Sequence, residues 1–266
     1  MYGITLNENE FINTFSMTSS KCGEDSFKLI QNSNGLTFGT DAYLLYAYMR
    51  AFPSAVCADL GCGTGIISIL AAKGRKFKKI FAVEIQKTFC ETTNKNISVN
   101  NLDDSICVIE KNVCELTPSD LGTELDCVFS NPPYMKVTSG KRNVNDEKYI
   151  ARHEVYADID AFCKSAARIL KFGGLFYVVY RCDRLSDLMV SLTKNGLEPK
   201  RMTLVYPYVD AEPCLALIEA KKGAKSSMFV TPPLIMYEKD RQNPKYTEEL
   251  KYIYENGEFN EQYRTH

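Results

Sequence analysis

Two stretches of the chain concentrate groups able to do chemistry. One is "SNPPYMK", residues 130–136. Asn131 carries an amide that both donates and accepts hydrogen bonds. Pro132 and Pro133 cannot donate to a strand ladder, so they end a strand and stiffen the turn after it. Tyr134 sets a flat ring beside them. A rigid turn with a cap would use the same residues. The other stretch is "DLGCGTG", residues 59–65. Gly61, Gly63 and Gly65, with Cys62 between the first two, let a ligand approach the backbone with no Cβ in the way. The spacing is G-x-G-x-G. The dinucleotide fingerprint requires a glycine at position 66, where this chain has Ile66. Asp59, ahead of the glycines, repels a pyrophosphate and suits a cationic ligand.

The elements that must position these groups can be read from the apolar pattern. From residue 55 strands and helices alternate. "AVCADL" reads as a buried strand, and "TGIISILAAK" as a helix entered through the glycines. "KIFAVE" is a strand ending in Glu84, and "KTFCETTNKNISVNN" a helix with a polar face. "SICVIEKN" is a strand ending in Asn112, and "LDCVFSN" one ending in Asn131. "DIDAFCKSAARILK", "LFYVVY" and "RLSDLMVSLTKNG" continue the alternation, and "EPKRMTLVYP" and "CLALIEAKK" close it. This predicts an α/β fold with a doubly wound, mostly parallel, seven-stranded sheet covered by helices on both faces. Ligands bind such sheets outside the carboxyl ends of the strands. Upstream, residues 26–38 read as a hairpin around Asn-Ser-Asn-Gly, and "TDAYLLYAYMRAF" as a helix with Thr40 as its candidate N-cap; Thr40 and Asp41 more often cap a helix than touch a ligand. The chain reads as one domain: hairpin and helix over 1–54, core over 55–225, and an extension over 226–266 with a Pro-Pro break and a short amphipathic helix.

The 266 residues are 45% hydrophobic and 24% charged, with formal net charge −1, so any contact with nucleic acid must use a local basic patch. No apolar run is long enough to span a membrane, and "MYGITLNENEF" lacks the features of a leader, so a soluble cytoplasmic protein is expected. The ten cysteines include no CxxC pair and several lie in apolar strands, which suits free thiols and argues against a metal site.

S-adenosylmethionine, with its ammonium and sulfonium, fits the Asp59 side of the glycine loop. Glu84 can accept hydrogen bonds from ribose hydroxyls, as acids do in nicotinamide sites, and Asn112, with Val113 beside it, can meet an adenine amine. Solvated strand ends would look the same. "DLGCGTG", an acid after the second strand and "NPPY" after the fourth together resemble the class I methyltransferase family across residues 55–220. Many relatives carry Asp where this chain has Asn112. The resemblance implies that Asn131, Pro132, Pro133 and Tyr134 hold a planar amine for methylation: the Asn131 side-chain oxygen and the Pro132 carbonyl accept from the NH₂, and Tyr134 stacks on the base.

"LTFGTDAYLLYAY", "ARHE", "YTEELKYIY" and "NPPYMK" further resemble the bacterial tRNA(Val) adenine-N6 methyltransferases, which modify an anticodon-loop adenine. That implies a tRNA partner, whose unpaired loop bases enter a pocket at small cost. Guanine in rRNA, a glutamine amide in a protein, and a catalytically silent RNA-binding protein are the other readings. Lys136, Lys141, Arg142 and Arg152 leave the Asn-Pro-Pro-Tyr turn directly; any one of them reads first as a solvated surface charge, but together they are placed to meet RNA phosphates. Arg181, Arg184, Lys194, Lys200 and Arg201 add positive charge further on. Phe38 either covers the site or belongs to the core. Arg152, His153 and Glu154 either orient the substrate or lock the loop by an ion pair.

Overall fold

In the computed structural model of the chain, residues 10–19, 23–32, 39–133 and 157–264 are described. Two strands open the structure, β1 (Glu10–Ser19) and β2 (Gly23–Asn32), paired antiparallel from Glu10 opposite Asn32 to Ser19 opposite Gly23. The two strands of the hairpin are therefore joined between Ser19 and Gly23, not through the expected Asn-Ser-Asn-Gly. Residues 26–32 form its second strand and reach back to β1, with Phe15 stacked on Phe27 at 5.2 Å between centroids. Alternation decides the register: Phe27, Leu29 and Gln31 share a buried face. Residues 33–38, and Phe38 with them, lie outside the described part.

Helix α1 (Thr40–Tyr48) begins at an N-cap of Gly39, so Thr40 is its first residue rather than its cap. Every side chain from Ala42 to Tyr48 is buried. A helix apolar on all sides must be enclosed, and α1 packs on the sheet face and on α2 (Ile66–Lys73). Its C-terminus is held by buried cations. Lys76 Nζ donates to Tyr46 O at 2.8 Å and Met49 O at 2.7 Å, and an Arg201 guanidinium nitrogen donates to Tyr48 O at 2.7 Å. Positive charge suits the carbonyl end of a helix. Arg201 is 2% exposed, pairs with Glu219 at 2.9 Å and lies over the Tyr48 ring, so it is no part of an RNA-facing surface. Arg181, Arg184 and Lys194 are likewise engaged, with Asp183, Asp187 and Asp160.

The main sheet contains β3 (Phe52–Leu60), β4 (Phe77–Glu84), β5 (Ile106–Glu110), β6 (Leu125–Ser130), β7 (Leu170–Arg181), β8 (Leu197–Tyr206) and β9 (Leu215–Lys222) in the order β8-β9-β7-β6-β3-β4-β5. Only β9 among these runs antiparallel to its neighbours. Two short strands, β10 (Phe229–Val230) and β11 (Leu234–Ile235), add to β8, giving nine strands rather than seven. Pro232 and Pro233 separate them because neither can donate to the ladder. The helices are completed by α3 (Lys87–Val99), α4 (Pro118–Leu121), α5 (Ile159–Ile169), α6 (Leu185–Lys194) and α7 (Glu248–Asn256). Neighbouring strand residues feed two apolar layers: Cys57, Cys127 and Tyr177 face α1 and α2, whereas Ala58, Val128 and Val178 face α5 and α6.

The C-terminal segment is joined to this body by a row of tyrosines. Tyr208, Tyr237, Tyr246, Tyr254 and Tyr43 succeed one another with centroids 4.7–5.5 Å apart. Tyr43 also donates to Tyr254 O at 3.0 Å. Among the described residues no helix is long and apolar enough to cross a membrane, and no group of three or more His, Cys, Asp or Glu side chains could hold a metal ion.

Candidate active site

The parallel strands β3, β4 and β6 end side by side, with Asp59 opposite Ala82 on one side and Phe129 on the other. Both chemically distinctive stretches leave these ends. Ser130 Oγ donates to Leu60 O at 2.7 Å, tying the end of β6 to the end of β3. Gly61 and Cys62 donate their N–H groups to Val83 O at 2.9 and 3.0 Å, tying β3 to β4. The glycine loop and Asn131 are thus fixed to one rigid edge.

The loop turns back through Gly63 and Gly65, whose φ angles of 56° and 80° lie in the left-handed region. At Gly65 a Cβ would meet Thr93 Cγ2 at 2.6 Å, so the helix packs where a side chain would be. At Gly63 a Cβ would meet nothing within 4 Å. That position has open space beside it, as a ligand cradle requires. Cys62 faces inward, buried, with Sγ 4.0 Å from Thr93 Oγ1.

Asp59 is 1% exposed. Ser68 Oγ donates to Oδ2 at 2.8 Å, while Oδ1 has no hydrogen-bond partner among the described residues. Burial pushes its carboxyl up to about 7, opposed by the Ser68 hydrogen bonds and assisted by the nearby Glu84 charge. Such an oxygen calls for a donor or a cation. Glu84 is also buried, but its oxygens are largely engaged: Oε2 accepts from Gly63 N at 3.0 Å and Oε1 from Ile85 N and Gln86 N at 2.8 and 2.9 Å. Burial raises its carboxyl and these N–H groups oppose the rise. A carboxylate has about four acceptor positions, so roughly one remains for a ligand. Asn112 lies in the turn after β5, two residues beyond the strand end, and its Oδ1 accepts from Cys114 N at 2.9 Å. Val113 is buried beside it, its carbonyl held by Arg168. The orphaned Asp59 oxygen and the open Gly63 position fit a cationic ligand resting on the loop, as S-adenosylmethionine would.

Pro132 is buried and Pro133 half-buried. The Asn131 amide is split between two tasks. Nδ2 donates to Asp41 Oδ2 at 2.9 Å, while Oδ1 is buried with no hydrogen-bond partner among the described residues. A buried acceptor without a partner calls for one. Tyr134, Lys136, Lys141, Arg142 and Arg152, with His153 and Glu154, lie outside the described residues.

Two residues and one contact contribute that the sequence does not single out. Thr93 Oγ1 donates to Gly63 O at 2.8 Å and Asn96 Nδ2 to Thr64 O at 2.9 Å, so α3 clamps the glycine loop. Their signal is a pair of polar residues three apart, on the side of α3 that the fold buries. The third is the Asp41 contact, which reaches across 90 positions in sequence to Asn131. No local pattern in the sequence announces it.

The sequence pattern of the methyltransferase small domain matches residues 34–191, more than half of the chain. The tRNA1(Val) (adenine(37)-N6)-methyltransferase of Phocaeicola vulgatus is 30% identical over 195 residues, covering 73% of this chain and 81% of that one. The enzyme of the same name from Dyadobacter fermentans is 25% identical over 231 residues, covering 86% and 94%. Among solved structures, a predicted O-methyltransferase from Agrobacterium tumefaciens superposes with TM-score 0.63 at 20% identity, covering 82% of this chain and 96% of that one. Trm5 of Methanocaldococcus jannaschii, in complex with adenosine, gives 0.53 at 19% identity over 84% and 59%. The fold, the glycine loop and these likenesses agree: the chain belongs to the methyltransferase small domain family of class I, S-adenosylmethionine-dependent enzymes.

Proposed function

We propose that this protein methylates the exocyclic N6 amine of an adenine in a tRNA anticodon loop, in the cytoplasm. The observation that carries the reading is the buried Asn131 Oδ1, just past the end of β6 beside the glycine loop, with no hydrogen-bond partner among the described residues. The substrate is taken from the names of the Phocaeicola and Dyadobacter relatives.

S-adenosylmethionine supplies an electrophilic methyl group on a sulfonium. Asp59 would hold its cationic part, the backbone of Gly61, Cys62, Gly63 and Gly65 would cradle it, Glu84 would accept from a ribose hydroxyl, and Asn112 and Val113 would meet the adenine. An aromatic amine is a poor nucleophile because its lone pair is delocalised into the ring. Asn131 Oδ1 and the Pro132 carbonyl accept from its two N–H bonds and turn the lone pair out of the ring plane. The prolines keep both acceptors in place before the base arrives. Tyr134 would stack on the base, Phe38 would cover the cofactor or base if it is not a core residue, and Lys136, Lys141, Arg142 and Arg152 would meet phosphates. The nitrogen gives up its proton only after it has become cationic, so no strong base is needed in the site.

The test is incubation with methyl-labelled S-adenosylmethionine and separate pools of tRNA, rRNA and release factors, then nucleoside analysis. N6-methyladenosine from tRNA is expected. Label in guanosine or in protein overturns the substrate, and absence of label from every pool overturns the catalytic reading. Asn131→Ala should lower the single-turnover rate on the order of a hundredfold, the loss typical for one preorganised polar contact to a reacting group.

A further inference from the structure

We infer that Asp41 is a positioning residue for the methyl-transfer step: its carboxylate holds the Asn131 side-chain amide so that Oδ1, and not the NH₂, faces the incoming amine. The inference rests on Asn131 being the acceptor for that amine.

An amide has two ends of nearly equal size. Asn131 can lie in its place with either end toward the substrate, and only one end accepts hydrogen bonds. The wrong end would oppose two N–H donors. What selects the right end is the partner on the other side. Asp41 Oδ2, 2.9 Å from Asn131 Nδ2, is a carboxylate oxygen, which accepts and does not donate. The flipped amide would set oxygen against oxygen there. One hydrogen bond thus fixes the orientation and leaves Oδ1 bare.

A helix-capping role accounts for only half of the carboxylate. Oδ1 of Asp41 accepts from Ala42 N at 2.9 Å, at the first turn of α1, and Oδ2 is committed to Asn131. Gly39 supplies an independent sign that the carboxylate's place matters. Its backbone angles, φ −112° and ψ 160°, are open to any residue. A Cβ there would come within 2.5 Å of Asp41 Oδ1. Glycine at 39 is therefore explained by room for the Asp41 carboxylate, and not by backbone conformation. The far end of α1 is held by Lys76 and Arg201, so Asp41 is presented from a fixed rod.

A double-mutant cycle tests the inference, with single-turnover methylation measured at saturating cofactor and tRNA. Asp41→Ala should slow transfer about 10- to 100-fold while S-adenosylmethionine affinity, by calorimetry, stays within about threefold. Added to Asn131→Ala it should cost no further rate, because the residue through which it acts is gone. Asp41→Asn has one acceptor for two donors and should fall between. Gly39→Ala, which crowds the carboxylate and leaves both hydrogen-bonding side chains in place, should slow transfer severalfold. In the unliganded protein the Asn131 side-chain amide protons, identified by their loss in Asn131→Ala, should move upfield in Asp41→Ala. An unchanged rate in Asp41→Ala, or the same loss with and without Asn131, overturns the inference. So does a defect confined to cofactor affinity. A fully active Asn131→Ala protein refutes the acceptor reading instead and takes this inference down with it.

Discussion

A buried carboxylate with one bare oxygen carries a free-energy cost until a donor or a cation arrives. Asp59 is in that position, and the cost appears as its carboxyl pushed from 3.8 to about 7. Between those values the folded chain keeps a proton that the unfolded chain has lost. The unliganded protein should therefore lose stability as pH rises from about 4 to about 7, with no further change from this group above that. A cationic ligand needs the ionised form, so affinity should move the other way, rising toward about pH 7 by up to tenfold per unit. Asp59→Asn should flatten both trends, checked by thermal melts and calorimetry across the range. That an acid sits ahead of the glycines is legible from seven consecutive letters. That Asp41 serves Asn131 is not: at position 41 an aspartate is also an ordinary first-turn residue, and only the packing of α1 beside the end of β6 shows where its second oxygen goes.

Helix α3 joins two parts of the molecule through amides. Asn96 accepts from Ile30 N at 2.6 Å and donates to Ile30 O at 3.1 Å and Thr64 O at 2.9 Å. Asn100 does the same for Lys28, accepting at 2.8 Å and donating at 2.7 Å. Two side chains thus stand in for a neighbouring strand along the open edge of β2, which would otherwise be free to pair with another chain. Asn96→Ala should destabilise the protein by about 1–3 kcal/mol, since it leaves buried backbone groups unpaired. It should also weaken cofactor binding through the released Thr64 carbonyl. Asn94→Ala, on the exposed side of the same helix, is the neutral control, with melting temperature and calorimetric affinity as the measures. The strand–helix alternation of the core is readable because each strand is a short apolar run with a polar stop. The hairpin is not, because the Asn-Ser-Asn-Gly signal is local whereas the pairing of β1 with β2 depends on which face is buried.

Across the whole molecule, α1 links the edge that carries Asn131 to the segment that follows the sheet. Its first turn meets Asn131, Tyr43 meets Tyr254, and its last turn meets Arg201, which also donates to Tyr263 O at 3.0 Å. Arg201→Met should cost about 3–5 kcal/mol, as expected when one member of a buried ion pair is removed, and should lower the methylation rate despite its distance from the chemistry. A melt and a single-turnover assay on the same sample would check this. The alternation of elements is legible in the pattern, but this linkage joins residues as far as 211 positions apart and leaves no trace in any window of sequence. It also has a consequence in time. The glycine loop and the Asn-Pro-Pro-Tyr turn are both translated by residue 134, yet the contacts that seat α1 come from Tyr254 and Tyr263, far later in the chain. A nascent chain should therefore stay idle on the ribosome and become competent only once Tyr254 and Tyr263 have been made. Chains stalled before Tyr254 is made should give no methyl transfer until synthesis resumes, and activity in stalled chains would show that α1 seats itself unaided.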